Sequence, residues 1–233
     1  HEPSIAHLDN GQRLADVQGV TAMMGGDERY GALVLGIGNV LWADEGFGVR
    51  CIEHLLAHWQ LPDAVLAMDG GTQGLYLLPY VQQADRLLVF DAVDFGDRPG
   101  TLRVAVGDEV PRFLGAHKMS LHQAGFQEVL FAAEMTNAFP RAVVLVGVQP
   151  AELEDYGGSL TPAVKAQVPV AVESGLAWLR RWGFHPTPRT LPDAPLPFDP
   201  ALALVPYEAG RPSPDAACRF GDERFLGFAM RRG

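Results

Sequence analysis

Two adjacent carboxylates, Asp44 and Glu45, lie in the stretch GIGNVLWADEGFGVR, directly after an apolar run and a Gly-x-Gly turn. Strand–turn–helix segments of this kind often bind phosphate at the helix N-terminus. Here, however, Leu41 stands where the dinucleotide motif has its third glycine, and a phosphate would meet two negative charges. Two unit charges ~4 Å apart near a protein surface repel by about 4 kcal/mol, which outweighs the roughly 0.3–1 kcal/mol that a helix terminus offers an anion. The stretch therefore predicts a cation-facing turn and no nucleotide cofactor.

Other polar residues are expected at the same edge of the fold. Asp69 and Asp91 each follow a short apolar run, and His122 lies in SLHQ, a capping-box pattern that starts a helix. Two carboxylates and one imidazole suit a divalent cation that keeps open positions for water or substrate. We therefore predict a metal site formed by Glu45, Asp91 and His122. Asp44 is interpreted as a structural neighbour that caps or supports the following helix.

Each of these residues also has an ordinary structural interpretation. Acidic residues favour the first turn of a helix, and an Asp before Gly-Gly often bonds its own backbone in a turn. A histidine in the first helical turn is commonly exposed. Rival sites are weaker, because HLLAH (54–58) lacks the Glu of a zinc-protease helix and no Gly-x-Ser-x-Gly elbow occurs.

Short apolar runs alternate with helical patterns, and these elements would position the candidate residues. Strands are predicted at 32–37, 64–68, 86–90 and 142–148, with an alternating edge strand at 101–107. The run at 142–148 is the most apolar and is expected at the centre of the sheet. Helices are predicted at 44–59, from about 73 to 81, at 120–135, and from Pro162 to about 182, with Thr161 as N-cap. The pattern predicts an α/β fold: a twisted, mostly parallel sheet with helices on both faces and one antiparallel edge strand.

Composition limits the partners. The formal charge is −10, from 28 acidic and 18 basic residues, which argues against nucleic acid and anionic membranes. No apolar run approaches the ~20 residues of a membrane span, so we expect a cytoplasmic protein without direct membrane insertion. Three segments are predicted: a disordered or vector-derived N-terminal segment (1–29), an α/β domain (30–184), and a proline-rich linker with a C-terminal tail (185–233).

Five motifs in order resemble those of one known family, the hydrogenase maturation endopeptidases. They are VLGIGNVLWADEGFGVR, DGGTQG, VFDAVD, KMSLHQAGFQEVL and VLVGVQP, and the resemblance runs from about residue 32 to 182. It implies a mostly parallel sheet between helices, and an enzyme that trims the C-terminal extension of the nickel–iron hydrogenase large-subunit precursor. The tail from Tyr207 is similar to tails of the branch that serves membrane-bound uptake hydrogenases.

The resemblance also implies roles for individual residues. It places metal binding on Glu45, Asp91 and His122, the set that the residue types had already suggested. It implies cleavage or substrate recognition for the motif Asp69, Gly70, Gly71 and Thr72. The implied metal is nickel carried by the precursor, so that substrate recognition brings the metal. Two alternatives stay open: a metallohydrolase with its own zinc that acts on small amides or esters, and a non-cleaving chaperone that senses nickel loading.

Overall fold

A computed structural model describes residues 29–110, 121–190 and 200–211 of the 233-residue chain. The strands are β1 Ala32–Ile37, β2 Trp59–Gln60, β3 Val65–Gly71, β4 Arg86–Ala92, β5 Leu102–Val106, β6 Ala142–Val148 and β7 Thr187–Pro188. The helices are α1 Phe47–His58, α2 Leu78–Gln82, α3 Leu121–Met135, α4 Pro162–Lys165, α5 Val168–Arg181 and α6 Leu204–Gly210. Short 3-10 turns at Ala43–Gly46, Gly74–Leu77 and Pro200–Leu202 precede α1, α2 and α6.

The main sheet has five strands in the order β3-β1-β4-β6-β5. The first four strands run parallel, and β5 pairs antiparallel with β6 at one edge. This confirms the α/β fold with a mostly parallel sheet and an antiparallel edge strand. The run 142–148 forms β6, an interior strand between β4 and β5, although the middle strand of the five is β4. Its side chains are covered on both faces of the sheet, which explains why the run is so apolar.

Side chains of the sheet alternate between two cores. In β4, Leu88 and Phe90 pack with α1 and α5, whereas Leu87 and Val89 pack on the opposite face with α2 and α3. Near-continuous apolar strands are what a parallel sheet buried on both faces requires. Among the described residues, no helix combines the length and apolarity that a membrane crossing needs.

Two predicted strands extend further than expected, and this changes where two candidate residues lie. β3 continues through Asp69 to Gly71, because Gly36 still pairs with Asp69 and Ile37 with Gly71. β4 continues to Ala92, with Asp91 paired to Gly147. Asp69 and Asp91 therefore lie within the last paired residues of their strands, and not in the loops that follow.

The helices of the structure occupy the predicted regions, but two of them are divided differently from the prediction. The first is a 3-10 turn followed by α1, and the last is divided into α4 and α5, where Pro169 stands in the first turn of α5 and restarts the helix. Thr161 is the N-cap of α4, as predicted, and Pro162 opens it. The Ser120 cap lies outside the described residues, but α3 occupies the predicted range.

Two parts of the predicted linker and C-terminal tail contact the α/β domain. β7 pairs antiparallel with β2, and Leu202 and Leu204 at the start of the 200–211 segment hydrogen-bond to side chains of α1. The boundaries proposed at 29/30 and 184/185 stay predictions.

Close packing of α1 on the sheet depends on Gly48. A Cβ at this position would overlap the backbone carbonyl oxygens of Phe90 and Ile37, which cannot rotate away. We expect Gly48→Ala to lower the free energy of unfolding by about 1–3 kcal/mol, as overpacked cores do, measured by urea denaturation. Gly210→Ala is the matched control, because a Cβ there meets nothing within 4 Å. Equal stability of the two variants would contradict this packing.

Candidate active site

The segment between β1 and α1, residues 38–46, forms a tight turn that we call the site turn. Gly38 has φ +134°, and a Cβ there would overlap the carbonyl oxygen of Glu45, so only glycine allows the turn to close. The Asn39 N–H donates to the Glu45 carbonyl at 3.2 Å, and the Gly38 N–H donates to the Gly71 carbonyl at 3.1 Å. The turn is thereby fixed to the end of β3, and its 3-10 part also contacts β4.

Asp44 is fully buried and holds a distant loop. Its Oδ2 accepts hydrogen bonds from the N–H groups of Ala151 at 2.8 Å and Glu152 at 3.0 Å, and from the Thr161 hydroxyl at 3.0 Å. Its Oδ1 accepts from the Thr161 N–H at 2.7 Å. The predicted structural role is confirmed, but capping of α1 is wrong: no side chain caps either the 3-10 turn or α1. The carboxylate is committed to residues 151–161, which we call the edge loop.

Glu45 lies in a different environment from its neighbour. Its side chain is half-buried, and burial raises its pKa from 4.5 to about 7. Burial disfavours the charged carboxylate, so a cation at this edge would stabilise it. The two adjacent acids therefore differ, as the sequence suggested.

The raised pKa of Glu45 predicts a pH-dependent stability. Below about pH 4.5 the carboxyl is protonated in both the folded and the unfolded protein; as the pH rises through about 7, the folded state must ionise a half-buried group. The folded state binds more protons, so its stabilisation is present at low pH and lost with rising pH. We expect the melting temperature of the wild type to fall relative to that of Glu45→Gln between pH 5 and 8, in metal-free buffer. A pH-independent difference would contradict the shifted pKa.

Asp91 and α3 share one face of the sheet. Asp91 is fully buried in β4, and the alternation that sends Leu87 and Val89 toward α3 places Asp91 on that same face. His122 is the second residue of α3; its side chain lies outside the described residues. Among the side chains that are described, no group of three or more His, Cys, Asp or Glu residues could hold a metal. The three-ligand set therefore stays a prediction.

Asp69 lies on the opposite face of the sheet. Side chains alternate along β3, so Asp69 is on the same face as Val65 and Ala67, which pack with α1. The pKa of its carboxyl is raised, mainly by burial; a hydrogen bond from the Gly71 N–H and the charge of Arg50 offset part of this effect. Its Oδ1 is buried without a hydrogen-bond partner. The structure thus brings Asp69 near α1 and separates it from the face that carries Asp91.

The rest of the Asp-Gly-Gly-Thr motif is divided between core and surface. Gly70 is buried in β3, where a Cβ would approach the Ile37 side chain at 2.8 Å. Gly71 has φ +46° and ends the strand, and Thr72 is exposed. Of these residues, only Thr72 presents an exposed polar side chain.

Sequence reasoning missed Gln149, which follows β6 at the same edge. Its Oε1 accepts from the N–H groups of Phe95 at 2.7 Å and Asp97 at 3.2 Å, and its Nε2 donates to Asp94 at 3.0 Å. This side chain therefore shapes the loop that leaves β4 just beyond Asp91. The rule that selected Asp69 and Asp91, a polar residue directly after an apolar strand, would have found it.

The chain is similar in sequence and in fold to known hydrogenase maturation proteins. A sequence model described as hydrogenase maturation protease matches residues 49–178. The chain is similar to the hydrogenase expression/formation protein HoxM of Cupriavidus necator, with 61% identity over 83% of this chain and 97% of that protein. It is also similar to HupD of Rhodobacter capsulatus, with 55% identity over 85% and 94% of the two chains. The solved hydrogenase maturating endopeptidase HybD of Escherichia coli shares 42% identity and a TM-score of 0.65, over 68% of this chain and 98% of that one.

Proposed function

This chain belongs to the hydrogenase maturation protease family, and we propose that it removes the C-terminal extension from the precursor of a nickel–iron hydrogenase large subunit. The observation that carries the proposal is that Asp44 and Glu45, although adjacent in the chain, lie in different environments. The Asp44 carboxylate accepts hydrogen bonds from four donor groups, whereas Glu45 lies half-buried on the site turn, at the carboxyl edge of the sheet. Ligands of open parallel sheets bind at that edge.

The proposed metal is nickel that arrives with the precursor. Glu45, Asp91 and His122 would complete its coordination, with two carboxylate groups and one imidazole as donors. Nickel in that position would polarise the scissile carbonyl or activate a water molecule. The partly buried Glu45 favours this arrangement, because a cation removes the penalty of ionising a desolvated carboxyl.

Asp69 is proposed to position the peptide rather than to act as a base beside the metal. Its carboxyl lies on the α1 face near Arg50, away from the Asp91 face. Asp69 as a whole is only partly buried, so its carboxyl would accept a hydrogen bond from a peptide N–H that docks at the end of β3. The motif that follows it, with Thr72 exposed, would form the adjacent wall of the substrate site.

Nickel gating is tested with two preparations of one precursor. Purified large-subunit precursor, nickel-loaded or nickel-free, is incubated with the protein, and the mass of the large subunit is followed with time. We expect cleavage of the loaded form only, because the apo form brings no metal to the site. Equal cleavage of both forms would contradict recognition through nickel.

The two alternative functions predict other results. A metallohydrolase with its own zinc would contain stoichiometric metal after purification and would cleave small amides or esters. A nickel-sensing chaperone would bind the loaded precursor and leave its mass unchanged. We further propose that the substrate belongs to a membrane-bound uptake hydrogenase, which processing assays with precursors of different hydrogenase classes would test.

A further inference from the structure

The segment 200–211, which we call the brace, forms hydrogen bonds both with α1 and with the region of the edge loop. Its start is attached to α1: Arg50 Nη1 donates to the Leu202 carbonyl at 2.6 Å, and the Leu204 N–H donates to Glu53 Oε1 at 2.8 Å. Arg50 is itself almost fully buried and pairs with Glu53 at 2.8 Å. Arg50 Nη1 thus serves both Glu53 and the Leu202 carbonyl, and charge-assisted hydrogen bonds of this kind attach the brace to α1.

The other end of the brace holds the edge loop and the helix after it. Glu208 accepts hydrogen bonds from Ser159 Oγ at 2.7 Å and from Lys165 Nζ at 2.7 and 2.8 Å. Arg211 donates to Asp155 at 2.7 Å. The Lys165 hydrogen bond is the first cause of a lowered pKa at Glu208, so this carboxylate is ionised at neutral pH. The brace therefore attaches to the edge loop through charged groups.

The edge loop in turn holds the site turn. The Gly157 N–H donates to the Leu41 carbonyl at 2.7 Å, and the Asp44 N–H donates to the Glu152 carbonyl at 3.1 Å. The Trp42 and Tyr156 rings pack edge to face with centroids 5.1 Å apart. Contacts thus run without a gap from the brace, through the edge loop, to the turn that carries Glu45.

We propose that the brace is a positioning element for the processing reaction, with Glu208 as its main positioning residue. Glu208 acts through Ser159, Lys165 and the edge loop to hold the backbone that directly precedes Glu45. Small displacements of a reacting group lower the rate of the chemical step more than they weaken substrate binding. This inference rests on the proposed function, because the reaction it concerns is precursor cleavage.

The test is a charge swap between Glu208 and Lys165. Glu208→Lys and Lys165→Glu are each expected to lower kcat for the nickel-loaded precursor roughly three- to thirtyfold, the range for changes along a coupled network, with KM changed less than about twofold. The double variant restores an opposite-charge pair and is expected to recover most of kcat. Glu173→Lys, on an exposed position of α5, makes the same charge change and is expected to leave kcat unaltered. Wild-type kcat in Glu208→Lys, or no recovery in the double variant, would overturn the proposal.

Hydrogen exchange tests the brace without any precursor. In Glu208→Lys the amide protons of Asp44 and Gly157 are expected to exchange faster, and to slow again in the double variant, because these amides join the loop to the turn. Unchanged exchange at both amides would overturn the brace even if cleavage occurs. If the wild type leaves the loaded precursor uncut, the proposed function fails, and the exchange data still decide on the brace.

Discussion

Glu45→Gln is expected to slow cleavage of the nickel-loaded precursor by about two to three orders of magnitude, the usual effect of removing one group that stabilises charge in the transition state. Gln has the same shape but cannot offer an anionic oxygen to a cation. The fold is expected to survive, because burial already favours the neutral form of this side chain. The measurement is the initial rate of appearance of the shortened large subunit, followed by mass.

Glu154→Gln is the matched control for this experiment. Glu154 is an exposed acid on the edge loop and undergoes the same change in charge and shape. Its cleavage rate is expected to stay within about twofold of the wild type, since exposed charges interact weakly. A normal rate for Glu45→Gln would exclude Glu45 as a ligand, and an equal loss in both variants would indicate a general charge effect.

Asp44→Asn is expected to have the largest effect on stability, about 2–4 kcal/mol in the free energy of unfolding. The carboxylate accepts four hydrogen bonds from the edge loop, and it is fully buried. In the amide, one oxygen is replaced by an NH2 group that would face an N–H or O–H donor. Chemical denaturation of the wild type and the variant at pH 7 measures the difference.

Two companion variants make the Asp44 result specific. Thr161→Val removes the hydroxyl donor and keeps the backbone N–H, so a loss of only about 1 kcal/mol is expected. Asp63→Asn, an exposed position, is expected to change the stability by less than about 0.5 kcal/mol. If Asp44→Asn were as stable as Asp63→Asn, the buried network would have no measurable role.

Much of the fold could be predicted because its signals are local. The runs ALVLGI, RLLVF and AVVLVGV are strands, as their apolarity indicates, and the alternating run near 101–107 is the edge strand β5. Polar residues that follow or end these runs point to the carboxyl edge. That reasoning located Asp69 and Asp91 at the strand ends, although it placed both just outside the ladder.

Other features depend on contacts between distant segments. The donors to Asp44 come from residues more than a hundred positions later in the chain, so its environment cannot be read from the stretch around it. The brace reaches Arg50 and Glu53 across a similar separation. Gly48 looks like an ordinary helical residue in the sequence, and only the packing of α1 on β1 and β4 shows why a larger side chain does not fit.

The most direct test of the proposed function is the mass of a nickel-loaded large-subunit precursor before and after incubation with this protein. We predict a single decrease equal to the C-terminal extension, with the extension released as one intact peptide, and no decrease with Glu45→Gln over the same time. An unchanged precursor mass after incubation with the wild-type protein, or cleavage at several positions along the large subunit, would contradict it.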